Sequence, residues 1–357
     1  MVNDNIQIAG NQKRKMSDPT SHDTARLAAL DAWLATELAR DGITEYTLAA
    51  ASADASFRRY FRITTPAGTR IVMDAPPAQE DCRPFVKVAA LLRAAGVNAP
   101  DVLAQDFSKG FLLLTDLGRA TFLDVINEDN ADGLFRDANA ALVQWQLASK
   151  PDVLPEYTET QALNELALFS DWYIGKHVGA TLNEKQHSVL QSMFGLIAQH
   201  ALVQPRVYVH SDYMPRNLMV SNPNPGVLDF QDAVYGPIGY DIASLYRDAF
   251  VSWEEERVLD GTIRYWEKAR NAGLPVSAHF GDFYRDVEWV GLQRHLRILG
   301  IFARLNYRDG KPSYLADTPR FVHYVRKTCE RYIALKPLLR LLDALGIGEV
   351  SVERYKF

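Results

Sequence analysis

Cysteine is nearly absent: Cys82 and Cys329 are the only two in 357 residues. They stand far apart and outside any metal-ligand spacing, which excludes a disulfide framework or a zinc cluster. Packing in a reduced, cytosolic protein is their expected role. No apolar run is long enough to cross a bilayer, and the first residues, M-V-N-D-N-I-Q-I-A-G, lack the hydrophobic stretch of a signal peptide. A membrane is therefore not an expected partner, and the expected location is the cytoplasm. Charge of one sign is lacking too: 39 Lys and Arg stand against 44 Asp and Glu, and the basic residues are scattered, so nucleic acid is not an expected partner. Internal repeats, low-complexity tracts and any sign of an obligate protein partner are also missing. What remains is a globular composition in a chain too long for one small core.

Met1 to Thr20 is polar, with Lys13, Arg14 and Lys15 clustered, and reads as a disordered tail. His22 to Leu38 carries Leu27, Leu30, Trp33, Leu34 and Leu38 at helical spacing, stopped by Gly42. A loop of small residues from Ala49 to Ser56 precedes two strands, Tyr60 to Thr64 and Arg70 to Asp74, joined by a Pro-Ala-Gly turn. Arg83 to Ala95 reads as a helix ended by Gly96, and Val102 to Asp106 with Gly110 to Asp116 as a hairpin running into T-D-L-G. Beyond it the pattern is helical at Thr121 to Glu128, Leu134 to Leu147, Ala162 to Lys176 and Asn183 to Val203. It is helical again at Glu254 to Ala272, Phe280 to Leu305 and Thr318 to Leu345. The expected organisation is α+β: a tail over 1–20, a small β-rich N-lobe over 21–116 and a larger, mostly helical C-lobe over 117–357.

The most informative stretch runs from Val207 to Asp248. It reads V-Y-V-H-S-D-Y-M-P-R-N-L-M-V, then G-V-L-D-F-Q-D-A from Gly226, then G-P-I-G-Y-D-I-A-S-L from Gly236. The apolar runs at 207–209 and 218–220 predict a strand pair around a tight loop holding Pro215, with Asp212 and Asn217 at one mouth of the sheet. Asp229, ending the next short strand, brings a second oxygen ligand to the same place. Mg²⁺ takes few protein oxygens and completes its octahedron with phosphates and water, which suits such a set. The competing reading is ordinary polar loop residues after strands. The spacing H-x-D-x-x-x-x-N of His210, Asp212 and Asn217, followed by an Asp after an apolar run, is the catalytic-loop pattern of protein-kinase-like phosphotransferases.

The order small-residue loop, strands, helix, T-D-L-G, H-S-D-Y-M-P-R-N and L-D-F-Q-D resembles the aminoglycoside-phosphotransferase-like kinases over roughly 51–305. The blocks D-A-S-F-R-R-Y-F-R, M-D-A-P-P, L-D-F-Q-D-A-V-Y-G-P-I-G-Y-D and L-Q-R-H-L-R-I-L-G-I-F-A-R-L look like the bacterial N-acetylmuramate/N-acetylglucosamine kinases of peptidoglycan recycling. The resemblance implies a bilobal protein-kinase-like fold and ATP-dependent phosphorylation of an anomeric sugar hydroxyl. It makes Asp212 the catalytic acid and Asn217 and Asp229 the Mg²⁺ ligands, with His210 structural. Asp241, at the start of a helix, becomes an anchor for the loop. Thr115, Asp116 and Leu117 fall where the chain crosses between lobes and meets the adenine edge.

The departure lies in the N-lobe. Where such kinases carry a strand lysine for the α- and β-phosphates, this chain reads R-I-V-M-D-A-P-P, with Met73 and Asp74. Either a nearby cation, Arg58, Arg59 or Arg62, takes that role beside the backbone at Ser56, or the chain is a nucleotide-binding pseudokinase. Glu80 or Asp81 is placed to pair with such a cation. For the acceptor, Arg216, Asp232, Arg294, His295 and Arg297 are the candidates. Arg294 and Arg297, at i and i+3 of one predicted helix, suit the carboxylate of N-acetylmuramate, whereas an aminoglycoside or another polycationic acceptor wants an acidic cleft.

Overall fold

The computed structural model describes residues 21–52 and 58–348. The tail reading of 1–20 and the nucleotide candidate Ser56 lie outside the described residues. By internal contact the chain divides into two compact units. One holds the described residues up to Cys82 together with Leu103–Thr115, and the other holds Arg83–Val102 and the chain from Asp116 onward.

In chain order the first part contains α1 (Ser21–Arg40), β1 (Thr47–Ser52), β2 (Arg59–Thr65), β3 (Gly68–Asp74), α2 (Arg83–Ala94), β4 (Val102–Asp106) and β5 (Phe111–Thr115). The strands form one sheet in the order β1-β2-β3-β5-β4. β2 and β3 are antiparallel, with Arg59 opposite Asp74 and Thr65 opposite Gly68. Gly68 takes a φ of 129°, which is why the tight Pro66-Ala67 connection ends on glycine. Leu30, Trp33, Leu34 and Leu38 of α1 pack on Ile63, Val72, Phe111 and Leu113 of the sheet. Each fully buried side chain of this kind stabilises by about 1.5–3 kcal/mol. Two expectations need correction. The small residues up to Ser52 form strand β1 paired with β2, because alternating Cβ atoms of Ala still pack in a ladder. And α2, expected in the N-lobe span 21–116, belongs to the larger unit.

The larger unit continues with α3 (Phe122–Val125), α4 (Ala131–Leu147), α5 (Glu159–Leu168), a π-helical stretch (Phe169–Val178) and α6 (Glu184–Leu202). Then come β6 (Arg206–Val209), a 3-10 turn (Pro215–Asn217), β7 (Leu218–Met219), β8 (Gly226–Val227) and β9 (Val234–Pro237). The remaining helices are α7 (Tyr240–Tyr246), α8 (Glu255–Asn271), α9 (Phe280–Tyr307), α10 (Thr318–Arg331) and α11 (Lys336–Ala344). The expected strand pair around Pro215 does not form. β6 pairs with β9, and β7 pairs with β8, both antiparallel. The intervening loop turns through Ser211, at a φ of 79°, and the 3-10 turn, so the chain leaves β6 instead of folding back on it. The helix expected from Thr121 to Glu128 is only four residues, opened by a Thr121/Asp124 capping box and ended by extended Ile126. The helical reading of Thr318 to Leu345 breaks at extended Tyr332, and Pro337 opens α11 as an early residue lacking an N–H.

Helix α9 spans 28 residues and is the axis of this unit, packing on α5, the π-helical stretch, α6, α7 and α10. Gly300 is where it crosses the chain end of α5: a Cβ there would lie 2.3 Å from the Leu168 carbonyl carbon. The π-helical stretch starts one residue later, at Phe169. Because the obstacle is backbone, Gly300→Val is expected to destabilise the protein by about 3 kcal/mol, the upper end for overpacked cores. An unchanged Tm in a thermal melt of the variant would show that the crossing relaxes freely.

Candidate active site

The catalytic-loop motif is held by bonds that its own sequence supplies. β6 delivers the chain to His210, which is 1 % exposed. Its Nε2–H donates to the Leu228 carbonyl at 3.0 Å, and its Nδ1 accepts from the Asp212 N–H at 3.3 Å. Burial pushes its pKa down to about 4. The ring is therefore neutral near pH 7 and serves as a clamp between the loop and the segment leading to Asp229. Asp241, in the first turn of α7 and fully buried, accepts from the His210 N–H at 2.7 Å and the Ser211 N–H at 3.1 Å. This is the anchoring role expected for it. Burial pushes its pKa up to about 7 against those two donors.

Asn217 and Asp229 come together. The Asn217 side-chain amide donates to the Asp212 carbonyl at 2.9 Å and approaches Asp229 Oδ2 at 3.4 Å, while the Leu228 N–H bonds the Asn217 carbonyl at 2.9 Å. With its nitrogen engaged, Asn217 has Oδ1 left for a cation. Asp229 takes a φ of 61°, and its Oδ1 accepts from Gln231 at 3.0 Å. A non-glycine residue in the left-handed region costs of order 1 kcal/mol or more, and Ser211 and Asp229 both hold one beside the site. One amide oxygen and one carboxylate are the hard donors that Mg²⁺ accepts while keeping positions for phosphate and water. Among the described residues no group of three His, Cys, Asp or Glu is arranged to hold a metal by itself.

Asp212 projects from this frame with its side chain 34 % exposed. Behind it lies Arg294 of α9, whose side chain is 2 % exposed, with Nη2 at 3.9 Å from Asp212 Oδ1 and also 3.9 Å from Met214 Sδ. Its Nε and Nη1 are buried without a hydrogen-bond partner among the described residues. The reading of Arg294 as an acceptor contact is thereby corrected: it is a buried cation under the loop. His295, also expected at the acceptor, faces elsewhere, 5.5 Å from the Phe321 ring and 5.1 Å from the Tyr324 ring, with burial pushing its pKa well down. Arg297 lies on the same helix, partly exposed. Its Nη1 donates to Tyr240 at 2.9 Å, and it stands 4.0 Å from Glu165. Arg216 lies 4.9 Å over the Phe250 ring, and Asp232 is exposed, its backbone carbonyl accepting from Ser211 Oγ at 3.2 Å.

In the smaller unit Asp74 ends β3 fully buried and carries two arginines. Arg59 donates to its Oδ2 at 3.0 and 2.6 Å, and Arg26 to its Oδ1 at 2.7 Å. Two cations on one carboxylate leave net positive charge at the strand where a lysine was missing. Arg58 pairs with Glu80 at 3.4 Å. Thr115 ends β5, and Asp116 begins the next unit, its Oδ1 capping the Gly118 N–H at 3.0 Å, with Leu117 between them. Sequence reasoning missed Arg26, Glu165, Tyr240 and Asp248. None sits in a recognisable spacing; only Tyr240, next to Asp241, carried a local signal.

Comparison with known proteins shows which family the chain resembles. The model of the phosphotransferase enzyme family matches residues 47–279. The N-acetylmuramate/N-acetylglucosamine kinase of Pseudomonas aeruginosa is 51 % identical over 333 residues, 91 % of this chain and 98 % of that protein. The protein of the same name from Neisseria meningitidis serogroup B is 48 % identical, over 87 % of this chain and 93 % of that one. Among solved structures, a choline kinase from Streptococcus pneumoniae superposes with a TM-score of 0.60 at 12 % identity, covering 85 % of this chain and 99 % of that chain.

Proposed function

The chain belongs to the phosphotransferase enzyme family, and from that premise we infer that it transfers the γ-phosphoryl group of ATP to the anomeric hydroxyl of an amino sugar, N-acetylmuramate or N-acetylglucosamine, in peptidoglycan recycling. The observation that carries the reading is the geometry around Asp212: a carboxylate with one third of its side chain exposed, on a loop pinned by His210, Asp241 and Asn217. Relatives at about half identity over nearly the whole chain bear the sugar kinase name.

The reaction asks little covalent chemistry of the protein, so positioning and electrostatics do most of the work. Asp212 orients the sugar hydroxyl and accepts its proton as the oxygen attacks phosphorus. An anomeric hydroxyl is more acidic than an ordinary alcohol, so a carboxylate suffices as base. Asn217 and Asp229 would hold Mg²⁺, which when bound offsets charge on the phosphates. The arginines on Asp74, Arg59 above all, and Arg58 take the phosphate role of the missing lysine, as guanidinium forks do elsewhere. Backbone groups of Thr115, Asp116 and Leu117 meet the nucleotide base. Arg216 and Asp232 flank the acceptor hydroxyl from the loop. ATP places the reaction in the cytoplasm. No helix among the described residues is long and apolar enough to cross a membrane.

A coupled ADP-release assay over N-acetylmuramate, N-acetylglucosamine, an aminoglycoside, choline and homoserine tests the reading. Turnover of the two N-acetyl sugars and of none of the other three acceptors is the expected result. Silence on every acceptor, with thermal stabilisation by ATP retained, would establish a pseudokinase instead.

A further inference from the structure

Four residues from three helices meet beside Asp212. Glu165 of α5 is 13 % exposed at its side chain and accepts three hydrogen bonds, from Tyr157 OH at 3.0 Å, Gln161 Nε2 at 3.2 Å and Gln293 Nε2 at 2.7 Å. All three donors are neutral, so the carboxylate is fixed in place while its charge stays unspent. The cation nearest to it is Arg297, at 4.0 Å and beyond hydrogen-bond reach. Arg297 makes one hydrogen bond among the described residues, from Nη1 to Tyr240, and its side chain is 23 % exposed. It therefore keeps most of a guanidinium fork for something else.

Arg297 follows Arg294 by three residues, a rise of about 4.5 Å along a helix, and Arg294 reaches within 3.9 Å of Asp212. Arg297 thus follows on the same helix as the arginine that reaches the carboxylate receiving the reacting hydroxyl. Arg297 and Tyr240 both lie within electrostatic range of Asp212. N-acetylmuramate carries a lactyl carboxylate at C3 where N-acetylglucosamine has a hydroxyl, so a cation in this neighbourhood meets an anion on one sugar and a neutral group on the other.

Resting on the sugar-kinase reading, we propose that Arg297 recognises the carboxylate of the acidic sugar and that Glu165 is the counter-charge that lets the same site accept a neutral one. A desolvated guanidinium with no anion nearby would penalise a neutral acceptor. Glu165 at 4.0 Å relieves that penalty without occupying the fork. When the acidic sugar binds, its carboxylate takes the free N–H groups, for which a charge-assisted bond is worth more than a neutral one. Tyr240, fully buried in its ring and held to the fork at 2.9 Å, fixes the guanidinium's direction.

The test is the ratio of kcat/KM for N-acetylmuramate to that for N-acetylglucosamine in the wild type, Arg297→Met and Glu165→Gln. Each ratio is taken on one preparation, so any inactive fraction cancels. Where a variant is too slow, the ratio of dissociation constants from sugar-induced thermal shifts replaces it. Arg297→Met is expected to lower the ratio about ten- to hundredfold, the range of a lost hydrogen-bonded charge contact. Glu165→Gln is expected to raise it severalfold, the opposite direction, because the neutral sugar alone loses the benefit of the counter-charge. A merely structural role for either residue would depress both sugars together. A ratio unchanged in Arg297→Met, or lowered in Glu165→Gln, in a protein whose wild type turns over both sugars overturns this assignment alone. A wild type that turns over neither overturns it together with the reading it rests on.

Discussion

Asp212→Asn is expected to lower kcat by about 10²- to 10⁴-fold, the contribution of a positioned general base, with KM for ATP little changed. The other candidates for the base are excluded by what already occupies them. His210 has both ring nitrogens committed, to the Leu228 carbonyl and the Asp212 N–H, and a pKa pushed down to about 4. Both Asp241 oxygens are bound to loop N–H groups inside the protein. Asp229 is bonded to Gln231 on one oxygen and faces Asn217 with the other. Of these groups Asp212 alone combines exposure with a rigid mounting, and its cation, Arg294, stands 3.9 Å away, beyond hydrogen-bond reach. The loss should therefore appear in kcat and in kcat/KM alike, the pattern of an interaction made in the transition state. Turnover within tenfold of the wild type in single-turnover assays would sink the assignment of Asp212 as the base.

The rigidity behind that expectation is assembled from several strained or buried choices at once. Ser211 and Asp229 hold left-handed φ values that an ordinary loop would relax. They persist because Asp241 fixes one flank and the His210 and Asn217 bonds fix the other. A loop over-determined in this way meets the reacting hydroxyl without reorganising, which is how positioning lowers a barrier.

How much of this was legible in the sequence follows the range of the interactions involved. The β2–β3 hairpin is local: its turn residues and the alternation of Arg59 to Thr65 specify it within one window. The His210, Asp212 and Asn217 spacing is also local, and so is the place of Asp241 at a helix start. The pairing of β6 with β9 joins residues about one loop and one hairpin apart, and short apolar runs do not say which partner they choose. The π-helical stretch after Leu168 begins beside Gly300, more than a hundred residues later, and helical periodicity passed straight through it. Arg294 shows the limit most clearly. At i and i+3 with Arg297 it looked like half of a carboxylate-binding pair, yet it is 1 % exposed while the Arg297 side chain is 23 % exposed. Spacing places side chains on a face; only tertiary packing decides which part of that face is covered.

Arg294→Met is expected to destabilise the protein by about 3 kcal/mol at pH 8, the cost of leaving buried charge uncompensated, and by much less at pH 5. Two effects oppose. The Nε and Nη1 groups of Arg294 are buried without partners, and removing them relieves about 1–3 kcal/mol each. Against that, the guanidinium is the cation for Asp212 at 3.9 Å and acts on the buried carboxyls of Asp241 and Asp248. Close charge pairs at an effective dielectric near 20 are worth a few kcal/mol, so three carboxylates outweigh two donors wherever they are charged. Burial pushes Asp241 up to about 7 and Asp248 up to about 6 from an ordinary 3.8, and Arg294 pulls both down. Groups raised on folding hold protons that the unfolded chain has released. Their stabilising contribution is complete below the ordinary value and is lost as the pH rises through the folded ones. Without Arg294 both folded values move higher, so the loss with rising pH is larger and extends further. At pH 5 the two buried acids are neutral, and relief of the unpaired donors offsets most of what remains. Thermal melts of wild type and variant from pH 5 to pH 8 should diverge steadily, by about 1–2 °C for each kcal/mol in a chain of this length. A deficit of the same size at every pH would mean that Arg294 acts by packing alone and that the charge on the catalytic loop is balanced elsewhere.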